Sequence, residues 1–207
     1  ESLFSMEGTT APIKEISKLC IKYDSKLLID EAHALGVMGP EGRGESFGVK
    51  EAISIISGTL GKAFGSGGAF LATDKKIGEN LIQNCGAFRY TTALAPPLCA
   101  SALAALNLIE SNPAWGRELK EKSIAIRDRL SQIGWQRPVG EGPIISLILG
   151  SDELAIDYQK RLEAQRLLTV AIRPPTVPEG KSRLRLVIRR NTPIQAFERL
   201  ITVLKNK

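Results

Sequence analysis

Two short segments hold residue types that together do chemistry on carbonyl compounds. The first, Leu28-Ile-Asp-Glu-Ala-His33, places Asp30 where an apolar strand ends and His33 three residues later. In open α/β sheets ligands bind just outside the carboxyl ends of strands, so an acid and an imidazole are well placed there. Taken alone, Asp30 also reads as a loop cap and His33 as a surface residue. The second segment, Ser57-Gly-Thr-Leu-Gly-Lys-Ala-Phe-Gly65, follows another apolar strand and sets Lys62 among residues too small to hide it. A lysine beside a cationic or desolvating neighbour has a lowered pKa and attacks a carbonyl to form a Schiff base. Thr59, three residues earlier, offers a hydroxyl to a phosphate. This is not a Walker loop, which needs a hydroxyl immediately after the lysine, where Ala63 stands.

An acid, an imidazole and a lysine in this order meet the needs of pyridoxal 5'-phosphate (PLP). That cofactor takes a lysine to hold it as an imine and a carboxylate against its pyridine nitrogen. It also takes a donor near its phenolic oxygen and several hydroxyls or amides for its phosphate. No metal site is expected: Cys20, Cys85 and Cys99 form an odd, widely spaced set that suits neither a metal nor a disulfide framework.

The elements that must carry these residues follow from periodicity. Ile13, Ile16, Leu19, Cys20 and Tyr23 lie on one helical face and lead into a buried strand at Lys26 to Asp30. Ala52 to Ser57 predicts a second strand, followed by the glycine-rich Gly58 to Gly68 and a strand at Ala69 to Thr73. The alternation predicts an α/β layer with a mostly parallel sheet. Pro96 and Pro97 precede an alanine-rich helix from Leu98 to Glu110, and Ser111-Asn112-Pro113 marks a domain boundary. Beyond it, Leu119, Ile126, Leu130 and Ile133 form a helical stripe. Ile144 to Leu149, Thr169 to Ile172 and Arg183 to Ile188 read as strands, Leu154 to Leu168 as a helix. Thr192 with Gln195 predicts a capping box before a final helix through Leu204.

Composition narrows the setting. With 207 residues, 43% of them hydrophobic, the chain can bury one large core or two small ones. The net charge of +6 suits nucleic acid, a membrane surface or phosphorylated small molecules. No nucleic-acid reading element accompanies the charge, and Arg183 and Arg185 read as a solvated strand face. No apolar run reaches the roughly 20 residues of a membrane helix, so no membrane partner is expected and the expected location is cytoplasmic. The start at Glu1, without a methionine and at the end of a strand, reads as a fragment.

The run Glu1-Ser-Leu-Phe-Ser-Met-Glu-Gly8, the Asp30-Glu-Ala-His33 and Gly36 after it, Gly42-Arg-Gly44, the Thr59 to Gly65 loop and Tyr90-Thr-Thr-Ala-Leu94 resemble, in order and spacing, the α-oxoamine synthases. The resemblance implies a fold-type I PLP-dependent transferase. Residues 1–111 would be the C-terminal part of the PLP-binding large domain, and residues 112–207 a small C-terminal α+β domain. It also implies a homodimer that condenses an amino acid with an acyl thioester and releases carbon dioxide. Ala171-Ile-Arg-Pro-Pro-Thr-Val-Pro178, followed by Arg183-Leu-Arg-Leu186, resembles the branch that joins L-alanine to a pimeloyl thioester in biotin synthesis, carried on coenzyme A or on acyl carrier protein. A glycine-using sister enzyme and a non-catalytic remnant acting as a binding module are the alternatives.

By this resemblance Lys62 would hold the cofactor and remove the α-proton of the amino acid, and Asp30 would pair with the pyridinium. His33 and Ser5 would hydrogen-bond the phenolic oxygen, Thr59 would hold the phosphate, and Thr91 and Thr92 would reach the phosphate of the neighbouring subunit. Arg173 would bind the amino acid carboxylate, with Thr176 lining the same pocket. Family members carry a long additional N-terminal portion, so the chain alone is expected to be inactive and poorly stable.

Overall fold

The computed structural model describes residues 1–49 and 52–205. Its helices are α1 (Ile13–Lys22), α2 (Lys75–Asn84), α3 (Gly86–Arg89), α4 (Pro96–Glu110), α5 (Trp115–Gln132), α6 (Asp152–Ala164) and α7 (Ile194–Lys205). Its strands are β1 (Leu27–Asp30), β2 (Ile53–Thr59), β3 (Ala69–Thr73), β4 (Ile144–Gly150), β5 (Val170–Ile172) and β6 (Ser182–Val187). Two compact units result, one holding Glu1–Leu3 and Thr10–Arg117, the other Phe4–Thr9 and the chain from Glu118 onward.

In the first unit the strand order is β1-β2-β3. β1 and β2 run parallel, with Asp30 opposite Ser57. Their carboxyl ends therefore share one edge of the sheet. β3 returns antiparallel to β2, with Ala69 opposite Thr59, so the glycine-rich loop between them turns back at that same edge. α4 begins with Pro96 and Pro97, whose fixed φ and missing amides suit a first helical turn. Asp74, whose side chain accepts the Ile77 amide at 2.8 Å, starts α2. Phe70 and Leu71 on β3 and Leu103 and Leu108 on α4 are exposed, so the apolar stock of this unit is only partly buried.

The second unit is better filled. Its sheet has the order β4-β6-β5, antiparallel throughout. Ile145, Leu147 and Leu184 are all but inaccessible, as are Leu130 of α5, Leu162 of α6 and Leu204 of α7. Each such side chain contributes about 1.5–3 kcal/mol through removal from water. Trp135 packs edge-on against Tyr158 and donates its indole N–H to the Leu204 carbonyl at 2.9 Å.

Arg127 is fully buried, and its guanidinium donates to the carbonyls of Ser123, Val139, Gly142 and Ile144. Loss of solvent, and secondarily the nearby Arg137, lower its pKa to about 10.

Three local expectations are corrected. Arg183 is only 5% exposed and pairs with Glu7 at 2.8 Å, because β6 is the central strand and the Phe4–Thr9 segment meets its polar face. Alternation on a strand gives two faces but not what covers each. α6 ends at Ala164 rather than Leu168, since the chain reverses through Arg166 at φ +59° and Leu167 donates back to the Leu162 carbonyl. Thr192 Oγ1 accepts the amide of Arg189, three residues before it, in place of the expected cap on α7.

Candidate active site

At the shared edge of β1 and β2 the chain is held by a dense set of backbone bonds. The Glu31 amide donates to the Ser57 carbonyl at 2.8 Å, continuing the ladder one residue past Asp30. Asp30 Oδ1 accepts the Ala32 amide at 2.7 Å, a local side-chain bond that turns the chain out of the strand. The amides of Ala34 and Leu35 both return to the Glu31 carbonyl, which places half-buried His33 on a single tight turn.

The lysine loop leaves the same edge. Thr59 Oγ1 donates to the Gly68 carbonyl and accepts the Gly61 amide, both at 3.2 Å, and Leu60 donates to Gly68 at 2.9 Å. The Ser66 amide bonds the Leu60 carbonyl, and the Ser66 hydroxyl bonds the Leu98 carbonyl at 2.6 Å, tying the loop to the start of α4. Lys62 sits at the tip of this closed loop, exposed. The Thr59 hydroxyl holds the loop shut in this structure, so contact with a phosphate requires it to turn from Gly68.

The two segments touch. Gly36, at φ +77°, lies where a Cβ would come within 2.8 Å of Ala63 Cβ and 3.2 Å of Ile109 Cδ1. Glycine is what lets the turn after His33 close against the residue beside Lys62. Asp30, His33, Thr59 and Lys62 are thus gathered on one edge by two independent loops.

Thr91 and Thr92 lie in the exposed stretch between α3 and α4, where the Thr91 hydroxyl donates to the Ala87 carbonyl. Ser5, Arg173 and Thr176 belong to the other unit. Ser5 sits in a turn whose carbonyl accepts Arg185 Nε at 2.7 Å, two residues before the Glu7–Arg183 pair. Arg173 directly follows β5 and is exposed, and its carbonyl accepts the Thr176 amide at 3.0 Å.

Glu31 was missed by sequence reasoning. Its carboxylate is fully buried and accepts the Ser2 hydroxyl at 2.6 Å, the Ser46 amide at 2.7 Å and the Glu45 amide at 3.2 Å. Its place beside Asp30 was visible, but a buried acid satisfied by backbone amides has no one-dimensional signature. Among the described residues no group of three or more His, Cys, Asp or Glu side chains is disposed to hold a metal, and no helix is long and apolar enough to cross a membrane.

The family model for aminotransferase class I and II matches residues 1–204. An 8-amino-7-oxononanoate synthase from Nitrosococcus oceani is 41% identical over 192 residues, covering 91% of this chain and 51% of that protein. Among solved structures, a high-resolution structure of SPT with a PLP internal aldimine superposes with a TM-score of 0.90 at 25% identity, covering 99% of this chain and 52% of that one. The 8-amino-7-oxononanoate synthase of Francisella tularensis superposes with a TM-score of 0.86 at 26% identity, covering 99% of this chain and 60% of that one. The chain spans about half the length of the curated relatives it matches.

Proposed function

The chain belongs to the aminotransferase class I and II family, and from that premise we propose that it is the lysine-bearing part of a PLP-dependent acyltransferase, an 8-amino-7-oxononanoate synthase. The reaction assigned to it is the decarboxylative condensation of L-alanine with a pimeloyl thioester, carried on coenzyme A or acyl carrier protein, within a homodimer. The observation that carries this reading is the contact of Gly36 with Ala63, which brings the acid-bearing turn against the lysine-bearing loop at the carboxyl ends of two parallel strands.

The donor set fits PLP: an acid, an imidazole, a lysine and a hydroxyl lie on one edge, each type matched to one part of that cofactor. Bound PLP supplies an electron sink for charge that develops at the α-carbon of the amino acid. Lys62, exposed on a small-residue loop, would hold the cofactor covalently and, once the amino group of the incoming amino acid has displaced its own amine, would take the proton from that carbon. Asp30, whose Oδ1 accepts the Ala32 amide, would keep the pyridine nitrogen protonated. His33 and Ser5 donate to the phenolic oxygen. Thr59, Thr91 and Thr92 serve the phosphate, the last two across the dimer. Arg173 binds the L-alanine carboxylate through two parallel N–H donors, with Thr176 beside it.

A sister α-oxoamine synthase that takes another amino acid is the second reading, favoured by the close superposition of the SPT structure. Initial rates of the chain completed with the N-terminal portion that its relatives carry, given a pimeloyl thioester and L-alanine, glycine or L-serine, separate the two. Preference for L-alanine, lost in Lys62→Ala, supports the proposal; preference for glycine or serine replaces it with the sister reading.

A further inference from the structure

Glu31 stands next to the acid that the proposed site uses, yet it faces away from solvent and meets no cation among the described residues. Its Oε2 accepts the Ser2 hydroxyl at 2.6 Å and the Glu45 amide at 3.2 Å, and its Oε1 accepts the Ser46 amide at 2.7 Å. A fully buried carboxylate is costly unless its lone pairs are met, and here three donors from two distant segments meet them. The fit is close on the far side as well. At Gly44, with φ +90°, a Cβ would lie 2.8 Å from the Glu31 carboxyl carbon, so the turn that presents the Glu45 and Ser46 amides can approach only because residue 44 lacks a side chain. Ser2 is itself bonded to β1, through its amide to the Asp30 carbonyl at 2.8 Å.

We propose that Glu31 is the positioning residue for Asp30 and His33: its carboxylate clamps the N-terminal segment and the 44–46 turn onto the end of β1, fixing both the strand end at Asp30 and the turn that carries His33. Glu31 directly follows Asp30, and its carbonyl receives the Ala34 and Leu35 amides that close the turn carrying His33. Anchoring its side chain therefore fixes the direction in which Asp30 and His33 leave the sheet. The role rests on the PLP reading of the site.

Glu31→Gln is the test, because it keeps the shape and removes one acceptor. A carboxamide has a single oxygen, so at least one of the Ser46 and Glu45–Ser2 sides must face an N–H donor instead. The experiment compares the parent protein, Glu31→Gln and Ser2→Ala by amide hydrogen exchange and by PLP titration with absorbance detection. In Glu31→Gln, exchange at Ala32, Glu45 and Ser46 rises at least tenfold while exchange at Ile145 and Leu184 in the other unit is unchanged. PLP binds at least tenfold more weakly. The pH at which bound-cofactor absorbance changes moves up, because a displaced Asp30 leaves the ring nitrogen less charged and a nearby cation less disfavoured. Ser2→Ala, which deletes one donor of three, gives a smaller effect in the same direction. Unchanged PLP affinity and pH transition in Glu31→Gln, or exchange that rises uniformly through both units, overturns the positioning role. Failure of the parent protein to bind PLP overturns instead the cofactor reading on which it rests.

Discussion

Substituting Gly36 by alanine probes the contact that joins the two halves of the proposed site. Two costs add. A non-glycine residue held at φ +77° in the left-handed region loses about 1 kcal/mol relative to glycine. The new methyl would also sit 2.8 Å from Ala63 Cβ and 3.2 Å from Ile109 Cδ1, well inside the roughly 3.5–4 Å of a comfortable carbon contact. Relieving such an overlap in a packed region costs about 1–3 kcal/mol. Gly36→Ala should therefore destabilise the first unit by about 2–4 kcal/mol, a fall in urea midpoint of about 1 M or more at ordinary denaturant sensitivity. Urea unfolding followed by circular dichroism measures it. Ala63→Gly in the same background removes the methyl that is struck, so the double variant should recover part of the overlap cost while the backbone cost stays. Contacting residues show such coupling and distant ones do not. A neutral Gly36→Ala, or strict additivity of the two substitutions, would mean that the Asp30 turn and the Lys62 loop are not in contact, and the site as described would be wrong.

Arg127→Met removes the donors of four carbonyls, three of them buried, and should destabilise the second unit by about 3 kcal/mol in denaturant titration, although methionine restores much of the packing. In the chain completed with the N-terminal portion that its relatives carry, Arg173→Lys should raise the KM for L-alanine at least tenfold with a smaller change in kcat, because a point charge replaces a planar two-donor fork. Lys120→Met should cost under about 1 kcal/mol, since the pair with Glu141 is solvent-exposed. The Lys120 hydrogen bond and charge hold the Glu141 carboxyl below the usual carboxylate range. Its small contribution is thus present above the ordinary glutamate pKa and lost as pH falls through the depressed value, so Lys120→Met should soften only the acid limb of a stability-against-pH curve.

Much of the first unit was legible because its signals are local. Apolar runs ended at Asp30 and near Ser57, and small residues around Lys62 allowed neither a strand nor a good helix, so both loops were placed correctly at strand ends. The direction of β3 was not legible, because the pattern of Ala69 to Thr73 is the same whether the strand runs with or against β2. α2 escaped notice since Gly78 interrupts its helical pattern, although Asp74 three residues before Ile77 was a usable cap signal. Arg183 and Glu31 illustrate a harder limit. Both are charged and both are buried, and their partners lie 176 and 15 residues away in the chain, so no window of sequence contains the interaction that explains them.

Lys62 is the residue on which the proposed chemistry depends. Borohydride reduction of the protein loaded with PLP, followed by peptide mapping, should place the pyridoxyl mass on Lys62 and leave Lys75, Lys76 and the other lysines unlabelled. Label on a different lysine, or none after loading to saturation, would contradict the assignment of this loop as the cofactor-holding site.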